Sequence, residues 1–464
     1  MNKEKKGFPV PHVYVILLTL IAVCSLLSYV IPAGQYDMMT VGSREVVDAS
    51  TYHVVQSTPV TLMQLLSAVP RGMTQSAQII FFIFIVGGAF AVLEKTGAIE
   101  AGIGKVCQLL KGRTLLLLPV VMLLFSLGGA VFGMSEETIP FIPIFVSLCI
   151  AMGYDSITGT AIVFCGAAAG YAGAFMNPFT LQVAQGIAGL PILSAMGFRI
   201  VMYIAYLILA SAFIMIYASR IKKNPKKSPM YHEDRSRDDI IDLNNLKPFG
   251  TQEKVILTVF AAAIALLVYG VISWGWYMDE ISALFIGMAI VIAAVARMTP
   301  NSFAVAFGEG MAGIASGALV IGFARGLLVV MTDGNILHTI LHAVASVLES
   351  LPSMVSALGM YAFQCLLNFL VPSGSGQAAV SIPIMAPLGD LVGVTRQTAC
   401  IAFQLGDAIS NIFTPTSGFF MAGLALAKIP WTKWAKWILP LIGIQYALGA
   451  VFVVIAHMIG LGPF

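Results

Sequence analysis

The sequence predicts an all-α polytopic membrane protein with two inverted-topology repeats, each containing a re-entrant helical hairpin and a discontinuous transmembrane helix. Of 464 residues, 58% are hydrophobic and only 10% are charged, whereas a soluble domain carries about 25% charged residues. Helix-breaking residues also recur in the same order in both halves. A third observation is a series of apolar runs near the roughly 20 residues that span a bilayer: Val13–Ile31, Thr114–Val131, Ile157–Met176, Val255–Trp274 and Ile438–Met458.

A basic segment, residues 220–254, divides the chain into two near-equal halves, 1–219 and 255–464. Nine of the 25 Lys and Arg residues lie in this segment. The positive-inside rule therefore predicts a cytoplasmic, solvated linker. A nucleic-acid partner is excluded because no folded basic module surrounds the segment.

The two halves resemble each other in sequence. "SEETIPFIPIF" parallels "SGQAAVSIPIM", and Asn177-Pro178 corresponds to Thr414-Pro415 further along. These breaks place the first hairpin at 114–152 and the first broken helix at 157–190. The second hairpin is expected at 354–394 and the second broken helix at 398–428.

Counting membrane crossings predicts that the repeats are inverted. With a cytoplasmic N-terminus, the basic linker reaches the cytoplasm only if the first hairpin enters and leaves from that side. The extra span Val255–Trp274 then reverses the second repeat, so its hairpin enters from outside and the C-terminus lies outside. Such paired breaks are typical of secondary transporters with a binding site at the middle of the membrane. We expect the cytoplasmic membrane of a prokaryote.

The hairpin tips carry the residues least suited to a membrane helix. "PSGSG" at Pro372–Gly376 contains hydroxyls and glycines, and unpaired backbone survives in lipid only beside protein or a wet cavity. We expect this stretch to be unwound, so that helix N-termini and free carbonyls meet a ligand. Close helix packing by Ser and Gly is the alternative interpretation.

Three ionisable residues indicate which positions form the predicted site. Glu136 and Glu137 lie at the first tip, with Glu137 favoured as the one facing the site, and Asp407 lies deep in an apolar run. Gln404, Asp407 and Asn411 are spaced to form one polar stripe on a helix. A charge in a membrane segment is a functional-site hypothesis by default, although Asp407 could instead be a buried structural carboxyl.

Other polar residues have weaker signals. Arg325 is interpreted as the one cation at depth, either paired with a carboxylate or contacting an anionic group. His338 and His342 have a metal-capable spacing but favour a surface helix face. The six cysteines lack metal-ligand spacing and are interpreted as small core residues. Three acids against one arginine favour a cationic group on the ligand.

Four stretches resemble the YfcC-like transporters of the anaerobic C4-dicarboxylate carrier group, within the ion transporter superfamily: "FGMSEETIPFIPI", "GYDSITGTAIVFCGAAAGYAGAFMNPF", "VPSGSGQAAVSIPIMAPLGDLVGVTRQ" and "FQLGDAISNIFTPTSG". The resemblance covers nearly the whole chain. It implies an elevator-type carrier, often dimeric, for basic amino acids or carboxylates. The positions matching that pattern are Ser135, Glu136, Glu137, Asn177, Pro178, Ser373, Gly374, Ser375, Gly376, Asp407, Asn411 and Thr414.

Five further polar residues complete the candidate binding set: Thr138, Thr180, Gln377, Gln404 and Thr416. Asn177 and Thr414, at the two breaks, are also candidate Na⁺ ligands, and Na⁺ or H⁺ is the candidate coupling ion. No organic cofactor is expected. The leading hypothesis is secondary active transport of a basic or other amino acid, by arginine/ornithine-type exchange or ion-coupled uptake.

The main alternative is a Na⁺- or H⁺-coupled carrier of di- or monocarboxylates, with Asp407 and a glutamate binding the ion. An ion channel would need a continuous pore, and breaks at the middle of the membrane suit occlusion better. An enzyme is disfavoured because the sequence contains no HExxH motif, no P-loop and no GxSxG in a triad context.

Overall fold

The computed structural model describes residues 13–41, 44–48, 50–99, 101–102, 105, 114–237, 250–276 and 278–462. Most of them are helical. Seven of the described helices are long and apolar enough to cross a membrane, or eight spans if the bent pair Pro300–Gly313 and Ala318–Asp333 counts as one. A mostly helical, multi-span membrane protein is therefore confirmed.

The described helices of the first half run to the basic linker. They are α1 (Val13–Leu27), α2 (Leu62–Gln75), α3 (Ala77–Lys95), α4 (Thr114–Leu127), α5 (Ile142–Ala151), α6 (Ser156–Gly173), α7 (Leu181–Ile187), α8 (Met196–Lys223) and α9 (Tyr231–Arg235). A π-helical turn, Gly128–Phe132, and a 3₁₀ turn, Glu136–Phe141, lie between α4 and α5, and a second 3₁₀ turn covers Pro225–Lys227.

The second half continues with longer helices. They are α10 (Thr251–Trp274), α11 (Met278–Val295), α12 (Pro300–Asp333), α13 (Leu337–Glu349), α14 (Ser353–Leu370), α15 (Gly374–Val392), α16 (Arg396–Ser410), α17 (Gly418–Leu426) and α18 (Trp431–Met458).

Four short strands correct the expectation of an all-α chain. β1 (Gly34–Gln35) pairs antiparallel with β4 (His53–Val54), and β2 (Met38–Val41) with β3 (Arg44–Val47). Runs of two to four residues are too short for an alternating pattern to appear in the sequence.

The segment that carries the four strands contacts α13 through two histidines of that helix, His338 and His342. The Tyr36 amide donates to His338 Nδ1 at 3.2 Å, and the Tyr52 ring stacks on His342 at 3.9 Å. Each histidine therefore contacts a tyrosine that adjoins a strand, Tyr36 after β1 and Tyr52 before β4.

The first predicted hairpin folds back on itself. The hydroxyls of Thr114 and Tyr154, at its two ends, are 3.2 Å apart, and the Phe125 ring on α4 packs against Phe141 at 5.2 Å. Lys222 Nζ donates to Thr114 Oγ1 at 2.5 Å. Both ends of the segment therefore lie beside the basic end of α8.

The second hairpin, α14 and α15, is joined by amide side chains. Gln364 Nε2 donates to Ser381 Oγ at 3.0 Å, and Gln377 Nε2 to the Gln364 carbonyl at 2.9 Å. Gln377, predicted to bind ligand, therefore holds the two arms together.

The predicted unwinding of Pro372–Gly376 is only partly correct. Helix α15 already begins at Gly374, and Ser373 is its N-cap, accepting the Gly376 amide at 3.3 Å. A serine N-cap stabilises a helix start even when glycines follow. The non-helical part of the tip is therefore Val371–Ser373.

Small residues allow two groups of helices to pack closely. In the first group, α2 and α3 lie against α12: a Cβ on Gly72 would be 2.3 Å from the Gly322 carbonyl oxygen. In the second, α6 lies against α4, where a Cβ on Gly170 would be 2.0 Å from the Ser126 carbonyl oxygen. Glycine is needed at both crossings because any side chain would separate the backbones.

Five cysteines of the described residues are free thiols, four of them buried. They sit among apolar neighbours, as expected for small core residues. Cys107 lies outside the described residues.

Part of the linker that was predicted to be solvated packs against the helical body, at α6, the end of α17 and α18. The Ser156 amide at the start of α6 donates to Asp234 Oδ2 at 2.9 Å. Arg237 Nη2 donates to the Ala427 carbonyl, just past α17, at 2.5 Å, and Lys433 on α18 pairs with Glu233. Burial of Asp234 is the largest influence on its carboxyl and raises its pKa. Residues 238–249 of the linker lie outside the described part of the chain.

Candidate functional site

A cavity of about 510 Å³ lies where both hairpin tips approach the broken helices. Helix α12 and the α2–α3 junction form its other wall. Ten of the seventeen predicted binding residues line it: Ser135, Glu136, Glu137, Thr180, Ser373, Gly374, Ser375, Asp407, Asn411 and Thr416. We call this space the site cavity.

Asp407 is held by two amide side chains. Its Oδ1 accepts hydrogen bonds from Asn368 Nδ2 on α14 at 3.0 Å and from Asn411 Nδ2 at 2.9 Å. No hydrogen bond to Oδ2 comes from the described residues. Asp407 is only 1% exposed yet lines the site cavity, so the free oxygen is available to a ligand or an ion.

Gly374 lies where three site elements meet. A Cβ at this position would be 2.5 Å from Thr180 Cγ2, at the first break, and 3.1 Å from Asp407 Oδ2, on the second broken helix. The absence of a side chain therefore allows the second tip to approach both broken helices.

The first tip is organised by Ser135. Its amide donates to Glu137 Oε2 at 3.0 Å, and its hydroxyl donates to Glu136. Glu137 is 4% exposed whereas Glu136 is partly exposed, and both line the cavity. Glu136 is thus the glutamate more open to the cavity.

Asn177 fastens the first break to the first tip. Its Nδ2 donates to the Gly129 carbonyl at 3.0 Å, and its Oδ1 accepts the amides of Phe179 at 2.9 Å and Thr180 at 3.1 Å. Oδ1 therefore supports the backbone just after the break, and Na⁺ binding at this break stays a prediction.

Seven predicted binding residues are absent from the cavity lining. Thr138 donates to the Ser135 carbonyl at 2.5 Å within the tip. Gly376 donates its amide to the N-cap, and Gln377 bonds between the hairpin arms. The full set is Thr138, Asn177, Pro178, Gly376, Gln377, Gln404 and Thr414.

Gln404 corrects the predicted polar stripe. It shares α16 with Asp407, and Asn411 is the C-cap of that helix. However, Gln404 Oε1 accepts a hydrogen bond from Arg199 Nε at 2.9 Å, and its Nε2 donates to the Ala172 carbonyl at 2.7 Å. These bonds lie on the α6 and α8 side of α16. The stripe is thus divided between the cavity and a structural cluster.

Arg199 is the buried cation that the sequence interpretation missed. Its side chain is 0% exposed. It donates to Gln404, to the Ser194 carbonyl at 2.8 Å and to Gln397 Oε1 at 3.1 Å. Among the described ion pairs, none involves Arg199. Arg325 is therefore not the one cation at depth.

Buried oxygen atoms without a hydrogen-bond partner cluster near the breaks. Within the described chain they include Asn368 Oδ1 and Asn411 Oδ1, whose NH₂ groups point at Asp407, together with Thr180 Oγ1, Thr414 Oγ1, Thr416 Oγ1 and Ser417 Oγ. Carbonyl and hydroxyl oxygens are the donors that hard cations prefer.

Several cavity residues were not in the predicted set. Tyr171 lines it from α6 and donates to the Gly133 carbonyl at 2.5 Å. Phe179 and Phe419 add aromatic surface, and Ser76 and Arg325 belong to the opposite wall. Of these, only Arg325 had a signal in the sequence, its charge within an apolar run.

Residues 10–458 match the family described as the C4-dicarboxylate anaerobic carrier, DcuC. The Escherichia coli K12 protein named "Putative basic amino acid antiporter YfcC" is 36% identical, across 99% of this chain and 98% of its own length. An uncharacterized Haemophilus influenzae protein is 29% identical, with 98% of each chain covered.

Two solved transporter structures also align with the chain. The Alcanivorax borkumensis YdaH transporter has a TM-score of 0.43 and 17% identity, covering 98% of this chain and all of its own. Neisseria gonorrhoeae MtrF, from a class of antimetabolite efflux pumps, has a TM-score of 0.44 and 19% identity, covering 97% and 96%.

The family match and the relatives point to a secondary transporter, not an enzyme. The chain belongs to the C4-dicarboxylate anaerobic carrier family, as the resemblance seen in the sequence implies.

Proposed function

We propose that this transporter carries a basic or other amino acid, by exchange or by ion-coupled uptake. The observation that carries the proposal is the charge of the site cavity, where Glu136, Glu137 and Asp407 face a single cation, Arg325, among the described lining residues. Three carboxylates favour a ligand with an excess of positive charge. The name of the E. coli relative supports the same substrate class.

The proposed transport step is alternating access of an elevator type. The site cavity lies between the hairpins with their broken helices on one side and α12 with the α2–α3 junction on the other. Sliding of one group past the other would expose the same site to each side in turn. A dimer in the cytoplasmic membrane, with the N-terminus inside and the C-terminus outside, is part of this proposal.

A Na⁺- or H⁺-coupled carboxylate carrier is the second candidate. It is favoured by the name of the family and by the unpartnered oxygens of Asn368, Asn411 and Thr416 beside Asp407. In this case Asp407 and these oxygens would bind the coupling ion, and Arg325 the substrate carboxylate.

Uptake into proteoliposomes separates the two candidates. Purified protein would be reconstituted with internal arginine or ornithine, and entry of labelled arginine measured with and without a Na⁺ or proton gradient. Exchange or gradient-driven arginine uptake supports the proposal. Succinate uptake with no response to arginine would favour the carboxylate carrier instead.

A further inference from the structure

Arg325 lies on the wall of the site cavity opposite the three carboxylates. It belongs to α12, whereas Glu136 and Glu137 lie at the first tip and Asp407 on α16. Its Nε donates to Gln75 Oε1 on α2 at 3.1 Å. No ion pair of the described residues involves Arg325.

The contact with Gln75 leaves the outer end of the guanidinium available. Nη1 and Nη2 have no hydrogen-bond acceptor among the described residues, and the side chain is exposed at the cavity. These two nitrogens form the fork that binds a carboxylate through two parallel hydrogen bonds. Gln75 holds Nε, so the fork is oriented before a ligand arrives.

The surroundings of Arg325 along α12 are apolar, so its charge depends on what occupies the cavity. Its neighbours along α12 on the cavity wall are Ile321, Ala324 and Leu328. A charged side chain in a membrane helix is expensive unless it has a partner or faces water. A partner that arrives with the substrate satisfies this requirement during transport.

We propose that Arg325 binds the α-carboxylate of the substrate, while the carboxylates across the cavity bind its amino and side-chain cations. This inference rests on the proposed transport of basic amino acids and specifies their recognition. A ligand with cations and one carboxylate matches the cavity at both ends. A decarboxylated ligand such as agmatine lacks the group that Arg325 binds, so Arg325 becomes the residue that separates amino acids from amines.

The test compares arginine with agmatine, which differ by the carboxylate. Affinities would be measured by thermal stabilisation of purified protein and by competition against labelled arginine uptake. Agmatine cannot form the charge-assisted bidentate pair with Arg325. We therefore expect the wild-type protein to bind arginine roughly tenfold or more tightly than agmatine. Arg325→Gln should lower the affinity for arginine by a similar factor. Its affinity for agmatine should stay the same or rise.

Arg235→Gln is the matched control, because Arg235 is exposed on α9 and contacts Tyr231 away from the cavity. It should bind both ligands as the wild type does. If Arg325→Gln lowers the affinities for arginine and agmatine equally, or changes neither, Arg325 does not bind the substrate carboxylate. The proposal of amino-acid transport is unaffected by that result.

Failure of the proposed substrate class gives a different result. In that case wild-type protein binds neither arginine nor agmatine but is stabilised by succinate. The same variant then tests Arg325 on succinate: a roughly tenfold loss of affinity supports carboxylate binding by Arg325, and an unchanged affinity overturns it.

Discussion

Asn368 Nδ2 lies 3.0 Å from Asp407 Oδ1 and thereby joins the second hairpin to the second broken helix. The contact uses one carboxylate oxygen for structure and leaves the other for the site cavity. Asn411, the C-cap of α16, donates to the same Oδ1. Asp407 can therefore lose its charge without losing its place in the fold.

Asp407→Asn is expected to abolish transport, or its dependence on pH or Na⁺, in a protein that stays folded. An asparagine oxygen can accept both amide bonds, whereas the negative charge facing the cavity disappears. Loss of a charge contact costs about 1.5–3 kcal/mol, so substrate or ion affinity should fall roughly 10- to 100-fold. Proteoliposome uptake, together with thermal unfolding, measures both effects.

Asp390→Asn is the matched control, because Asp390 pairs with Arg396 at an exposed position outside the cavity. It should transport normally. Normal transport by Asp407→Asn itself would instead mean that this carboxylate serves only the structure.

Gly374→Ala should weaken ligand binding because the added methyl group has no space. Its carbon would lie 2.5 Å from Thr180 Cγ2 and 3.1 Å from Asp407 Oδ2, so the second tip has to move away. Overpacking of this kind costs about 1–3 kcal/mol of stability. Calorimetric melting and ligand affinity should both fall.

Thr180→Ser removes the methyl group that the new alanine would meet, and the double variant should recover part of the loss. Gly443→Ala, on α18 with open space around it, serves as the control and should change little. Equal losses in the single and double Gly374 variants would show that the contact with Thr180 is unimportant.

The hairpin tips and the charged site residues could be predicted because their signals are local. Pro, Gly and Ser within an apolar run indicate a helix break, and Glu136 or Asp407 in such a run needs a partner or a cavity. Their presence in one cavity follows from the order of the breaks. The match between residues 135–145 and 375–385 related the two tips to each other.

Which polar residues face that cavity and which hold the helices together could not be predicted in the same way. Gln404 has the helical spacing of a cavity residue, yet its side chain accepts a hydrogen bond from Arg199 on α8. Arg199 lies in the first turn of its helix, a position that favours exposure at a membrane surface. Its burial depends on the preceding loop, where the Ser194 carbonyl turns toward the guanidinium.

Arg199→Met is expected to destabilise the protein by about 3 kcal/mol or more. The change removes three hydrogen bonds from a charged donor, to Gln404 Oε1, Gln397 Oε1 and the Ser194 carbonyl, at about 1.5–3 kcal/mol each. The Ser194 carbonyl keeps a second donor, Gln185 Nε2 at 2.9 Å, whereas Gln404 Oε1 keeps none among the described residues. Removing a buried charge also saves its desolvation cost. We expect the loss of the three hydrogen bonds to outweigh that saving.

Arg199→Lys separates the two effects because it keeps the charge but not the planar set of donors. Its melting temperature should fall between those of the wild type and Arg199→Met. A methionine variant more stable than wild type would mean that the desolvation cost dominates the cluster.

Asp155→Ala should lower the free energy of unfolding by about 2–4 kcal/mol. Asp155 Oδ1 caps α6 by accepting the Thr158 amide at 2.9 Å, a contact whose loss costs about 1 kcal/mol. Its Oδ2 accepts the hydroxyls of Tyr217 at 2.5 Å and of Ser228, in the linker, at 2.6 Å. Those donors, left unpaired in a buried site, add about 1–3 kcal/mol.

Ser228→Ala removes the linker's hydrogen bond to Asp155 together with the bond that the Ser228 hydroxyl accepts from the Met230 amide at 3.0 Å, and should cost about 1–2 kcal/mol. Asp48→Ala is the surface control, since among the described residues the Asp48 carboxylate accepts hydrogen bonds from nearby Ser50 alone, and it should change stability by less than about 0.5 kcal/mol. Asp155 does not line the site cavity, so melting should shift while substrate affinity at low temperature stays unchanged. If Ser228→Ala matches the surface control, the linker contributes no stability through this bond, and the loss in Asp155→Ala belongs to the cap and Tyr217.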